Sequence, residues 1–177
     1  MNKRIILMGA VLMVFAMGCG YTTSSALPPN FKTVYVDRFE NKINFTTAAS
    51  SDRNVYFPLL EVKAHDAVVE RFQFDGNLRI AEEDAADLIL EASLIDYNRN
   101  PLRYTDNDDV EEYRVQIVVA LKLIDAKTNE TVWEYGRFIG EATYFITGAQ
   151  ASTEEAAVQD ATVDLARRIV ERTIENW

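Results

Sequence analysis

The side chains most used in catalysis and metal binding are almost missing from this 177-residue chain: it has one histidine, His65, and one cysteine, Cys19. That count leaves no material for a zinc cluster or a disulfide framework, and it argues against a Cys–His nucleophile. Positive charge is also short. Lys and Arg total 18 against 28 Asp and Glu, a formal charge of −10. A nucleic-acid binder needs a basic footprint to displace phosphate counterions, so nucleic acid is not an expected partner. The same acidity argues against attachment to anionic lipid by charge alone. Glycine is sparse, and Gly136, Gly140 and Gly148 stand isolated, so no phosphate-cradling loop is present; no G-x-S-x-G elbow accompanies the serines either. Finally, no apolar run is long enough to span a bilayer. The longest, Ile5 to Met17, has thirteen residues, where a helix needs about 20.

What is present is ordinary globular material, 48% apolar and 26% charged, at a length suited to one domain with a real core. The first twenty residues differ from the rest. Lys3 and Arg4, a short apolar segment and a small-residue break describe a secretory signal. The break, Ala16-Met17-Gly18-Cys19, resembles a bacterial lipobox, with Ala16 where Leu is usual. Residues 1–18 are therefore expected to be a lipoprotein signal peptide and Cys19 the lipidated N-terminus. Removal of Lys3 and Arg4 with the signal leaves 159 residues and a charge of −12. Acyl chains, at about 0.8 kcal/mol per buried methylene, would hold such a chain to a membrane without help from charge. Gly20 lacks the Asp that marks inner-membrane retention, so the resemblance implies the outer membrane.

Residues 19–30, ending in Pro28-Pro29, read as a tether, and residues 31–177 as a single domain. Lys32 to Phe39 alternates as a strand, and Glu40 to Arg53 reads as a loop. Leu60, Ala64, Ala67, Val68 and Phe72 fall on one face of a helix from about Asn54, closed by Asp75-Gly76. A short strand at Leu78–Ile80 and a turn at Glu82–Asp84 precede a longer strand that ends near Tyr97. Asn98 to Asp109, with Pro101, reads as a loop. Tyr113 to Ile124 is the clearest strand; Asp125 to Glu130 is its turn and Thr131 to Tyr144 its partner. Ser152-Thr153-Glu154-Glu155 has the form of a capping box, with Ser152 as the cap. The helix it opens runs to the C-terminus, with Ala157, Val158, Ala161, Leu165, Ile169, Thr173, Ile174 and Trp177 along one stripe. This order predicts an α+β fold: a two-layer sandwich of two amphipathic helices on a mostly antiparallel mixed sheet of four to five strands.

On the second face of that sheet, alternation places Arg114, Gln116, Val118, Lys122 and Phe138. It is too apolar for plain solvent surface and too polar for core, so it is the candidate face for a partner. Arg99, Arg103 and Lys127 are the basic groups best placed near strand ends to meet a phosphate. The acidic runs at 82–84, 106–112 and 154–155 read as solvated turns and a helix cap rather than as acid–base pairs. Asp106-x-Asp108 opens like a calcium loop, but Val110 and the missing glycine do not continue it. His65 reads as a satisfied, partly exposed side chain. The crowded aromatics, Tyr97, Tyr104, Tyr113, Trp133, Tyr135, Phe138, Tyr144 and Phe145, read first as β-forming residues and second as an amphipathic contact surface. No metal, cofactor or enzymatic activity is expected.

Cys19-Gly20-Tyr21, Leu27-Pro28, the Val34–Phe39 strand with Glu40-Asn41, and the phrase Asp87 to Tyr97 together resemble the LptE family of lipopolysaccharide-assembly lipoproteins. Val110–Tyr113, Asp125-x-x-Thr128, Val132-Trp133-Glu134 and the closing helix extend the likeness over nearly the whole chain after the signal. The resemblance implies two helices on a mixed sheet, and a non-enzymatic role at the periplasmic face of the outer membrane. It further implies a plug inside an LptD-type β-barrel, assistance in assembling that barrel, and delivery of lipopolysaccharide to the outer leaflet. The alternative reading is a free-standing periplasmic lipoprotein that binds a glycolipid or cell-wall ligand.

Overall fold

The computed structural model describes residues 27–43 and 57–175. Its elements are β1 (Thr33–Val36), β2 (Glu40–Asn41), α1 (Leu60–Asp75), β3 (Arg79–Ile80), a 3-10 turn (Glu83–Ala85), β4 (Leu88–Tyr104), β5 (Val110–Asp125), β6 (Thr131–Phe145) and α2 (Glu154–Glu175). Cys19, most of the tether and Trp177 lie outside the described residues.

The strands form one mixed sheet in the order β3-β1-β4-β5-β6, with β2 beside β4 further along. β1 runs parallel to both β3 and β4, and β2 parallel to β4. β4, β5 and β6 are antiparallel neighbours. The sheet thus has six strands, more than four to five, because two-residue strands add to the long ones. β2 lies where the sequence reads as loop; its backbone joins β4 through the register Glu40 to Ser93 and Asn41 to Leu94.

Both helices cover one face. Leu60, Ala64, Val68 and Phe72 recur every four residues on α1, and all are buried. Gly76 ends α1 in the left-handed conformation (φ 77°), its N–H donating to the Phe72 carbonyl at 3.1 Å. On α2, Ala157, Ala161, Leu165, Ile169 and Thr173 form the buried stripe. Its two fully embedded hydroxyls are satisfied locally: Thr162 donates to Val158 O and Thr173 to Ile169 O, each at 2.8 Å. The helix cap sits one residue later than the capping-box pattern predicts. Thr153, not Ser152, accepts from the Ala156 N–H (3.2 Å), and Glu154, in the first turn, reaches back to the sheet.

Two irregularities set which side chains face the helices. Ile95 is an extra residue on β4, between the pairs Leu94–Val119 and Asp96–Val118. On β6, Gly136 and Arg137 together oppose Ala120. Each bulge reverses the alternation of its strand, so Tyr97 and Arg99 turn toward the helices after Leu94, and Phe138 does so after Tyr135. β4 also continues through Asn98–Tyr104, where the sequence reads as loop. Beyond Leu94 it has no described neighbour but β5, and an edge of that kind tolerates Pro101.

Candidate functional site

The outer face of the β4–β5–β6 ribbon carries no layer of described residues. After an extra residue at Glu111, β5 is regular and its alternation reads straight: Arg114, Gln116, Val118, Ala120, Lys122 and Ile124 point outward, while Val115, Ile117, Val119, Leu121 and Leu123 enter the core. Four of the five predicted surface residues, Arg114, Gln116, Val118 and Lys122, therefore share this face. Phe138 does not. It pairs with Val119 and packs against the helix-side core, because the bulge at Gly136–Arg137 turns it inward. Ile139, Glu141 and Thr143 take the outer positions instead, opposite Val118, Gln116 and Arg114.

The polar groups of this face partner one another across strands. Gln116 Nε2 donates to Glu141 (2.9 Å), and Arg114 reaches the same carboxylate at 3.9 Å. Lys122 lies 3.9 Å from Glu91, Arg137 lies 3.9 Å from Asp96, and Asn98 donates to Asp96 at 2.9 Å. Exposed pairs of this length contribute only about 0–1 kcal/mol each, so they order the face rather than hold the fold. Between them sit apolar positions that are already covered by neighbouring side chains: Val118 is fully buried and Ile124 is 6% exposed. The surface is a flat ribbon with a balanced charge pattern and an apolar seam. Where β2 meets β4 a polar depression opens on this face, lined by Glu40, Lys42, Glu91, Ser93, Lys122 and Glu134.

The predicted phosphate-contact residues do not form a cluster. Arg99 lies in β4 rather than in a loop, on the helix side. Its guanidinium donates to Glu154 at 2.7 Å and stacks on Tyr113 at 5.0 Å, and the Tyr97 hydroxyl donates to the other oxygen of Glu154 at 2.7 Å. Burial, helped by the Glu154 charge, pushes the Tyr97 phenol well above its usual range, so it remains a donor at neutral pH. Arg103, also in β4, is 3.6 Å from Glu112 and lies over the Phe145 ring. Lys127 is at the other end of the sheet, in the β5–β6 turn, and donates to Asp87 at 2.7 Å. Along β4 the ends are on the order of 50 Å apart at about 3.3 Å per residue. All three cations have carboxylate partners and stand as separate ion pairs.

Asp87 went unnoticed in the sequence and proves to be a hub. Its Oδ2 accepts from the Lys32 N–H (2.9 Å), the Thr33 N–H (3.2 Å) and the Thr33 hydroxyl (3.0 Å), while Oδ1 takes Lys127. The Lys127 ammonium, then the Lys32 N–H, hold its carboxyl down at about 2. Glu154, the second such anchor, was legible only as a helix-start acid. His65 has both ring nitrogens near acceptors, Asp66 at 3.0 Å and the Val36 carbonyl at 3.4 Å. The acidic tip 105–109 is closed by Thr105, whose hydroxyl accepts from Asp109 N–H. Among the described residues no group of three or more His, Cys, Asp or Glu is placed to hold a metal, and no helix is long and apolar enough to cross a membrane. Of the flagged aromatics Tyr97 and Tyr144 are buried; Trp133, Tyr135 and Phe138 are half-buried on the helix side, in contact in series at 5.5 and 5.8 Å with tilted rings, and Tyr104 is the one left more than half exposed.

A mixed sheet covered on one face by two helices and open on the other defines a two-layer α+β domain. The chain belongs to the LptE lipopolysaccharide-assembly family, whose pattern it matches over residues 31–173. None of the curated proteins compared with it matches its sequence. Among solved structures it is similar to the uncharacterized lipoprotein B from Nitrosomonas europaea (16% identity, TM-score 0.56, 89% of this chain and 91% of that one). It is also similar to protein XCC0632 from Xanthomonas campestris (15% identity, TM-score 0.55, covering 82% and 88%). A PelC variant from Paraburkholderia phytofirmans gives 16% identity and TM-score 0.50 over 86% and 96%. At these identities the likeness is one of fold.

Proposed function

We propose that this protein is a lipid-anchored plug and assembly partner of an LptD-type outer-membrane β-barrel, and that it takes part in delivering lipopolysaccharide to the outer leaflet. Membership of the lipopolysaccharide-assembly family supports the process. The observation that supports the plug role is the outer face of β4–β6. Its cations Arg114, Lys122 and Arg137 lie near Glu141, Glu91 and Asp96 of the same face, and its seam is apolar. Such a surface fits the polar inner wall of a barrel without leaving an isolated charge desolvated. Arg114, Gln116 and Lys122 are the proposed contacts there, and Val118, already covered by its neighbours, lies beneath them.

Direct capture of lipopolysaccharide has weaker support, since Arg99, Arg103 and Lys127 already face carboxylates. Phosphate would have to displace those partners in a chain of net charge −10. Attachment is assigned to acylation of Cys19 at the periplasmic face of the outer membrane. The reading is tested by purifying the full chain from outer membranes in mild detergent. A large β-barrel protein is expected to accompany it in stoichiometric amount. Recovery of the lipoprotein alone would sink the proposal.

A further inference from the structure

Among the described residues β6 is the last strand of the sheet, and apart from a bridge between Phe145 and Ala151 the backbone groups on its far side meet no strand. Such an edge is a template for a further strand, and β6 is long, fifteen residues, with few charges. Two of those groups are occupied by side chains of α2. The Ile139 carbonyl accepts from Arg168 Nη1 at 2.8 Å, and the Glu141 N–H donates to Asp164 Oδ2 at 3.1 Å. One residue supplies the donor and the other the acceptor, as an incoming strand would. The two are themselves paired, Arg168 Nε to Asp164 Oδ2 at 3.2 Å, and Arg167 holds the other Asp164 oxygen at 2.6 Å while reaching Glu171. Further on, the Phe145 carbonyl accepts from the Ser152 N–H at 2.8 Å.

The position of α2 makes this arrangement specific. Gly140 lies between the two capped residues, and a Cβ built there would come within 2.6 Å of Ala161 O and 2.7 Å of Leu165 Cα. The absence of that side chain brings α2 close enough for its short Asp164 to reach the strand edge. We infer that Asp164 and Arg168 form an edge lock, which occupies the hydrogen-bonding edge of β6 and prevents it from pairing with the β6 of a second copy of this chain. The self-pairing it blocks is a specific one. An antiparallel two-fold register centred on Ile139 sets Ile139 against Ile139 and each Arg137 opposite a Glu141, which is complementary in charge.

The test uses the full chain in detergent, away from any partner, with Ile139→Cys as a cross-linking reporter and a short bis-maleimide as reagent. With the lock intact the reporter stays monomeric. In the Asp164→Ala/Arg168→Ala background the cross-linked dimer is expected to rise on the order of tenfold, the equivalent of one or two net backbone hydrogen bonds. Adding Glu141→Pro, which removes an edge-facing N–H, is expected to return the chain to monomer. Should circular dichroism show the double variant unfolded, Arg168→Ala alone frees the Ile139 carbonyl and gives the same reading. A folded lock variant that remains monomeric, or a dimer that persists with Glu141→Pro, overturns the inference.

Discussion

Asp87 carries more of the fold than any other single polar side chain described above. One carboxylate joins the start of β1, the start of β4 and the β5–β6 turn. Its pKa is lowered from 3.8 to about 2, so its contribution to stability is present above about pH 4 and is lost as pH falls from there through about 2. A displacement of that size corresponds to at most about 2 kcal/mol, reduced by solvent screening at the exposed Lys127 end. Asp87→Asn is therefore expected to cost about 1–2 kcal/mol in chemical denaturation at pH 7, with the gap to wild type closing below pH 4. Gly140 is the second such residue. Gly140→Ala forces α2 away from β6 and is expected to cost about 1–3 kcal/mol, read as a lower midpoint with an unchanged denaturant slope.

At the scale of the element, α2 is anchored at its first turn by Glu154, which meets Tyr97 and Arg99 of β4 and lies at the positive end of the helix. Glu154→Ala leaves a partly buried guanidinium and a buried phenol without that acceptor. It is expected to destabilise the domain by about 2–3 kcal/mol, and more than Glu155→Ala on the same turn, in parallel melts. The same element explains what could be read in advance. Both helix stripes and β5 from Tyr113 onward follow from periodicity alone, because neither helix is interrupted and β5 is regular beyond Glu111. β4 and β6 change parity at Ile95 and at Gly136–Arg137. A bulge has no period, so simple alternation carried past it put Phe138 on the wrong face, and nothing in it turned Arg99 inward. The pairing of Arg99 with Glu154, or of Asp87 with Lys127, spans 55 and 40 residues and leaves no local trace.

For the whole molecule, the scarcity of His and Cys and the acidic balance agree with a domain that fits against a partner. One side of the sheet is sealed by α1 and α2, and the other presents Arg114, Gln116 and Lys122 around the covered Val118. Attachment depends on Cys19 in this account, so Cys19→Ala is expected to shift the protein from the membrane fraction to the soluble periplasmic fraction, followed by immunoblot. The central claim concerns the open face, and site-specific photocross-linking at Gln116 in intact cells tests it most directly. The account predicts an adduct whose second component is a large outer-membrane β-barrel protein. A protein that reaches the outer membrane folded, yet yields no barrel adduct from Gln116 or from the neighbouring Arg114 and Lys122, would contradict it.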